Sequence, residues 1–180
     1  GYAIRFNEST VRTVGRNSIG VKGVTMSRDN DEVIGMICLE PDSENSIMVV
    51  SENGYGKRSY FNDPETGEPV YRVTNRGGKG VKTISVTEKT GNLIAIKNVT
   101  DEDDLMVITK RGITIRTSID QVRVMGRAAQ GVRIINLKKG GEIAAVAKVP
   151  KSDEEEEIEG IEGENPENPE NGTENDNSEA

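Results

Sequence analysis

An all-β fold built from radially repeated units is what this 180-residue sequence predicts, on three observations. The frame Arg-x-x-x-Gly-Val-(Lys/Arg) occurs three times, at Arg16–Lys22, Arg76–Lys82 and Arg127–Arg133. A second frame, Gly-x-x-x-Arg, precedes each copy, at Gly1–Arg5, Gly54–Arg58 and Gly112–Arg116. The glycine of the first frame recurs after 60 and then 51 residues, from Gly20 to Gly80 to Gly131, a period that implies stacked or radially arranged units. Finally, the apolar runs are short and β-branched, and no window of about eleven residues in the body carries a helical stripe.

Taken in order, the expected strands are Val33–Leu39, Ile47–Val50, Val81–Val86, Leu93–Ile96, Leu105–Ile108, Val132–Leu137 and Ile143–Val149. Continuous runs such as Ile47-Met48-Val49-Val50 suit strands buried on both faces, whereas Ile113-Thr114-Ile115-Arg116-Thr117 alternates as a half-buried strand does. Overlaying the copies gives one recipe: a buried strand, a glycine turn, a strand bearing the first Arg, a variable loop, the basic frame, and a last apolar strand. That is about four strands per unit and about three units, the recipe of a propeller blade. The first unit begins at its turn glycine and so lacks an opening strand. The middle one carries an insertion, Asp63–Pro69, whose Pro and Gly mark a surface loop.

Charge divides the chain in two. Residues 1–150 carry 22 Lys/Arg against 18 Asp/Glu, a net of +4, and residues 151–180 carry 1 against 13, a net of −12; together these give the overall −8. The expectation is a folded basic body over 1–150 and a disordered acidic tail over 151–180, too polar to bury a core. A basic body with an acidic appendage points to a nucleic-acid or membrane partner. No apolar run reaches the ~20 residues of a membrane span, and the start is no signal peptide. A cytoplasmic setting follows as the default, and the absence of an initiator Met suggests a piece of a longer chain. Cys38 has no partner for an internal disulfide and reads as a small buried hydrophobe.

Catalytic chemistry has little to build on. The chain contains no histidine, which removes the commonest general base and metal ligand, and Cys38 has no base beside it. Asp101–Asp104 lacks the ligand spacing and central Gly of a calcium loop, and Gly77-Gly78-Lys79-Gly80 lacks the full phosphate-loop frame. The basic turns are better suited to binding. Glycine lets backbone approach a phosphate, and the flanking Arg or Lys supplies charge. Repeated around a disc, such turns make a positive rim along which duplex DNA can run and bend. Aromatic residues do not interleave with the basic ones, so a single-strand stacking platform is disfavoured.

These residues resemble the C-terminal DNA-wrapping domain of the A subunit of bacterial DNA gyrase. The likeness is carried by Gly1–Phe6, Val11–Arg16, Ser51–Arg58 and Val124–Val132, and covers essentially all of 1–150. It implies a β-pinwheel, a propeller-like disc of six blades that exchange strands, of which this chain would be the C-terminal half. It also implies DNA wrapping in support of negative supercoiling. Further implications are a heterotetramer with the rest of gyrase A and with gyrase B, ATP and Mg used elsewhere in that enzyme, and no cofactor in this chain. The family's box, Gln-Arg-Arg-Gly-Gly-Lys-Gly, belongs to its first blade. Arg76–Gly80 matches the last five positions, while Thr74 and Asn75 replace the first two, so this copy is read as a repeat equivalent. The cleavage tyrosine lies upstream in the family, and none of Tyr2, Tyr55, Tyr60 or Tyr71 is a candidate.

The expected phosphate contacts are Arg5, Arg16, Lys22, Lys57, Arg58, Arg76, Lys79, Lys82, Arg116, Arg127 and Arg133, with Gly77, Gly78 and Gly80 giving close backbone approach. The partner is double-stranded DNA; no catalytic or metal-binding residue and no membrane contact is expected. Two other readings compete: the equivalent domain of topoisomerase IV, which bends DNA without strong wrapping, and a protein-binding propeller.

Overall fold

Among the described residues every ladder between strands is antiparallel, and the units complete one another. A computed structural model of the chain describes residues 1–40, 43–137 and 141–151; the acidic stretch expected to be disordered lies, apart from Lys151, outside the described residues. The strands are β1 Tyr2–Ala3, β2 Ser46–Ser51, β3 Tyr55–Tyr60, β4 Val81–Lys82, β5 Leu93–Val99, β6 Asp103–Thr109, β7 Thr114–Ser118, β8 Val132–Arg133 and β9 Ile143–Pro150. They form sheets ordered β1-β4, β5-β2-β3-β8 and β7-β6-β9. The only helical segments among the described residues are single 3-10 turns at Glu8–Thr10 and Ile119–Gln121.

The middle sheet shows the four strands that the repeat recipe implies, with one change of ownership. Its fourth strand, β8, comes from the third unit and pairs Val132 with Gly56 and Arg133 with Tyr55. The first unit receives β4 from the second in the same way, Val81 on Ala3 and Lys82 on Tyr2. The second and third basic frames therefore each supply a strand to the unit before. The two larger sheets even share an irregularity: register shifts at Val50/Ser51 in one and at the matching Ile108/Thr109 in the other, as a bulge built into the repeat would give.

Period-two alternation decides where the cores lie. β2 is buried along its whole length, because its odd and even residues enter different cores. Met48 and Val50 join Leu105, Val107, Ile119, Val122, Ile135 and Ile143. Ile47 and Val49 join Phe61, Tyr71 and Ile84. The first cluster lies between the middle and third units and the second between the middle and first. Burying each such Ile, Leu, Val, Met or Phe contributes roughly 1.5–3 kcal/mol, so the contacts between units are where the hydrophobic stabilisation concentrates.

Three sequence expectations need correction. Val33–Leu39 forms no ladder among the described residues. It matches β5 and β9 in position, the strands that pair with β2 and β6. It still keeps strand periodicity, Ile37 and Leu39 facing the second core and Met36 pointing outward at 83% exposure. Cys38, one step out of phase, is exposed rather than buried. Lastly, Val81–Val86 and Val132–Leu137 are strands only over their first two residues. In the third unit the chain then turns to place Ile135 in the core while the Gly54 carbonyl accepts from the amides of Ile134 and Ile135 at 2.9 and 3.3 Å; Ile84 is likewise fully buried in the second.

The frame glycine makes the donation possible. Gly80 and Gly131 sit at φ +76° and +90°, and a Cβ at either would lie 2.3 Å from the Ala3 carbonyl oxygen or 2.7 Å from that of Gly56. Gly20 has a similar φ, +89°, with nothing within 4 Å. Gly80→Ala and Gly131→Ala should each lose about 2 kcal/mol or more, combining backbone strain with a clash against a backbone atom. Gly20→Ala should lose only the strain, about 1 kcal/mol. Urea unfolding of the three variants checks the order.

Candidate nucleic-acid interface

The basic residues of the two frames do different jobs, and the strand exchange explains which does what. Arg58 lies on β3, where a parallel bridge joins it to Val124 of the next unit. Its Nε donates to the Val122 carbonyl at 2.7 Å, and its Nη1 pairs with Asp101. Arg5 repeats the relation one unit earlier, bridging to Val73. Its Nη1 donates to Asn62 Oδ1 at 2.8 Å and to the Tyr71 carbonyl at 3.2 Å, with the guanidinium 5.0 Å from the Phe61 ring centre. The third member, Arg116 on β7, donates through Nε to Asp104 at 2.6 Å. These arginines lace neighbouring segments together, as carbonyl and carboxylate acceptors allow.

Lys57 is buried completely. Its ammonium donates to Ser59 Oγ at 2.9 Å and to the carbonyls of Gly126, at 2.8 Å, and Arg127, so it clips the third basic frame onto β3. Burial, with the Arg127 charge adding to it, lowers its pKa to about 8. The copies carry Ile4 and Ile115 at this position, and the expectation that Lys57 meets phosphate is overtaken by its placement in the core.

The first arginine of the second and third frames links its turn to the one before. Arg76 Nη1 donates to the Lys22 carbonyl and its Nε to the Thr10 carbonyl at 3.2 Å. Arg127 Nη1 donates to the carbonyl of Lys82, the counterpart of Lys22. The backbone follows suit. Gly77 N–H donates to the Gly23 carbonyl at 2.8 Å, and Thr25 N–H to that of Gly78 at 2.9 Å. Ser85, the counterpart of Thr25, donates its hydroxyl to the Ala128 carbonyl at 3.1 Å. Gly77 has thus committed its amide to protein, while Gly78 remains exposed and Gly80 seats β4 against Ala3. Arg133 is exposed but engaged, its Nη2 donating to the Tyr55 hydroxyl at 3.1 Å. That hydrogen bond, reinforced by the charges of Arg133 and Lys89, holds the Tyr55 phenol below its ordinary pKa.

Arg16, Lys22, Lys79 and Lys82 stand apart from these. All four are exposed, and among the described residues their side chains make no hydrogen bond or ion pair. They belong to the frames at 16–22 and 76–82, which the Arg76–Lys22 link joins. Sequence reasoning also passed over a further repeat: Arg12, Arg72 and Arg123 each stand four residues before the frame arginine, so the frame reads Arg-x-x-x-Arg-x-x-x-Gly-Val. That extension was open to direct alignment of the copies. Three of the acids at 101–104 are engaged in pairing: Asp101 with Arg58, Asp103 with Lys148 at 3.4 Å, and Asp104 with Arg116. Among the described residues no cluster of three or more His, Cys, Asp or Glu is placed to hold a metal ion, and no helix is long and apolar enough to cross a membrane.

Sheets that hand one strand to the preceding unit, with basic turns linked in series, define a propeller-like class of repeat domain. A family model described as "DNA gyrase C-terminal domain, beta-propeller" matches residues 1–40, 45–59, 70–100 and 103–150. The chain belongs to that family. It is 46% identical over 145 residues to the A subunit of DNA gyrase from Staphylococcus epidermidis and 48% identical to that from Staphylococcus aureus. Each alignment covers 81% of this chain but 15% or 16% of the relative, so the chain spans under a fifth of the length of these relatives. A solved DNA gyrase A C-terminal domain superposes with a TM-score of 0.68 at 27% identity, covering 82% of this chain and 47% of that one. The C-terminal domain of DNA topoisomerase IV gives 0.71 at 23% identity over 83% and 44%, which shows the shared fold.

Lys57 yields a pH-dependent prediction. Its folded pKa lies below the unfolded value near 10.5, so the unfolded chain binds more protons between the two. Stability should therefore rise with pH from about 8 to about 10.5, by up to about 1.4 kcal/mol per pH unit from this group. In urea titrations across this window, wild type should gain that increment relative to Lys57→Met, with the difference flat below pH 8. A parallel rise in both proteins would exclude the buried amine as its source.

Proposed function

We propose that this chain is a duplex-binding module of DNA gyrase A. DNA follows its basic rim and bends around it, and the ATP-driven strand-passage machinery belongs to the rest of gyrase A and to gyrase B. The observation that carries this reading is the membership of a DNA gyrase C-terminal domain family, joined to exposed, unengaged Arg16, Lys22, Lys79 and Lys82 on serially linked turns. The module needs no cofactor and contributes no reacting group. It presents fixed positive charge to the phosphate backbone, and affinity comes from counterion release. Arg5, Lys57, Arg58, Arg116 and the frame arginines Arg76 and Arg127 hold the presenting turns in place, and Arg133 combines a tyrosine contact with an exposed position. The topoisomerase IV reading shares the fold, but 46–48% identity to gyrase A sequences favours the gyrase one.

Binding to mixed-sequence duplex should weaken steeply with salt and depend little on sequence. Replacing Arg16, Lys22, Lys79 and Lys82 together by Ala should flatten the plot of log affinity against log salt by about 3–4, near 0.9 for each phosphate no longer neutralised. Arg58→Ala should instead act first on stability, costing about 1–3 kcal/mol because the buried Val122 carbonyl loses its donor. Fluorescence titration of labelled duplex together with thermal unfolding separates the two effects. Wild-type binding insensitive to salt, or absent, would reject the duplex-binding assignment.

A further inference from the structure

The arginines that precede the frames are repeated as strictly as the frames themselves. Arg72 follows Arg12 by 60 residues and Arg123 follows Arg72 by 51, the spacings of the frame glycines. The structural positions of the second and third also match. Arg72 lies between buried Tyr71 and Val73, which bridges to Arg5; Arg123 lies between buried Val122 and Val124, which bridges to Arg58. Beneath each, the preceding carbonyl is held by the lacing arginine of the unit before, Tyr71 by Arg5 and Val122 by Arg58. The amide of the residue two positions on is held as well, Thr74 by the Arg5 carbonyl at 2.8 Å and Met125 by the Arg58 carbonyl at 2.9 Å. Backbone fixed on both sides therefore carries the same side chain at the same register in successive units.

We propose that Arg12, Arg72 and Arg123 form a once-per-unit row of DNA phosphate contacts, an inference that rests on the duplex-binding reading above. All three are exposed. Among the described residues none of the three guanidinium groups makes a hydrogen bond or ion pair, in contrast to those of Arg5, Arg58, Arg76, Arg116, Arg127 and Arg133. Carboxylates nearby in the chain are Glu8, Glu68 and Asp120, and Asp120 is taken up by Lys151 at 2.9 Å. A guanidinium offers five donors in a fork that matches a phosphate. With the backbone below already ordered, less conformational freedom remains to be lost on contact. The same residue type at each unit suits a ligand whose charge recurs along its length whatever its sequence. Adjacent frames add Arg16, Lys79 and Lys82, so the row lengthens each unit's contact to the duplex rather than replacing it.

The test uses the 180-residue chain and a linear duplex of mixed sequence, titrated at several salt concentrations between about 50 and 200 mM. The triple variant Arg12→Ala/Arg72→Ala/Arg123→Ala should flatten the salt plot by about 2.7, or about 0.9 per position, with thermal unfolding unchanged. The corresponding triple Lys variant should keep the wild-type slope, because charge and not shape is what counterion release reads. If the Ala triple unfolds at lower temperature, the single variants with wild-type stability carry the test, each flattening the slope by about 0.9. A wild-type chain that binds with a steep slope, matched by the Ala variants, overturns the row and leaves the duplex-binding reading intact. A Lys triple as impaired as the Ala triple also overturns it. A wild-type chain that does not bind duplex removes the underlying reading, and the row with it.

Discussion

The structure depends on a two-residue strand placed where a side chain would not fit. Gly80 and Gly131 turn into the left-handed region with their Cα against a carbonyl of the preceding unit, and this close approach lets Val81–Lys82 and Val132–Arg133 join that unit's sheet. Once that seam forms, Ile84 and Ile135 can enter the cores, and the aliphatic faces of β2 are covered on both sides. A unit's sheet is complete only with its neighbour in place. Stability is thus a property of pairs of units, as in other repeat proteins where interface terms dominate.

The same seam divides the labour among the basic side chains. Positive charges brought together on successive turns repel one another, and the fold offsets this by giving several of them carbonyl or carboxylate acceptors. Arg5 and Arg58 lace units through the carbonyls of Tyr71 and Val122. Arg76 and Arg127 lace turns through those of Lys22 and Lys82. Lys57 goes furthest, entirely buried with its proton affinity reduced. What remains exposed and unengaged is a smaller set of charges on an ordered frame. A nucleic-acid surface of this kind gains from rigidity, since the ordering of its turns has already taken place on folding.

Much of the fold is legible in the residues alone. The frame at 16–22, 76–82 and 127–133 marks the repeat, and the run Ile47–Val50 correctly implies a strand buried on both faces, because period-two alternation serves two cores at once. Val33–Leu39 shows where that reasoning stops. Its composition matches β5, but a ladder needs a neighbouring strand, and among the described residues none pairs with it. Cys38 is exposed because an apolar context in the sequence says nothing about which face a given residue takes.

Sequence alone determined the unit, its period and its glycine turns, because these rest on local properties: side-chain branching, alternation, and backbone conformations that only glycine adopts readily. It also determined the uneven charge, +4 over 1–150 against −12 over 151–180. Tertiary structure decided which strand belongs to which sheet and which cations are already engaged. Lys57 and Lys79 are both a lysine beside glycine in a basic frame, yet one is fully buried and the other exposed. That difference arises from acceptors 69 and 70 residues away in the chain, the Gly126 and Arg127 carbonyls, which only the folding of one unit onto the next brings within reach.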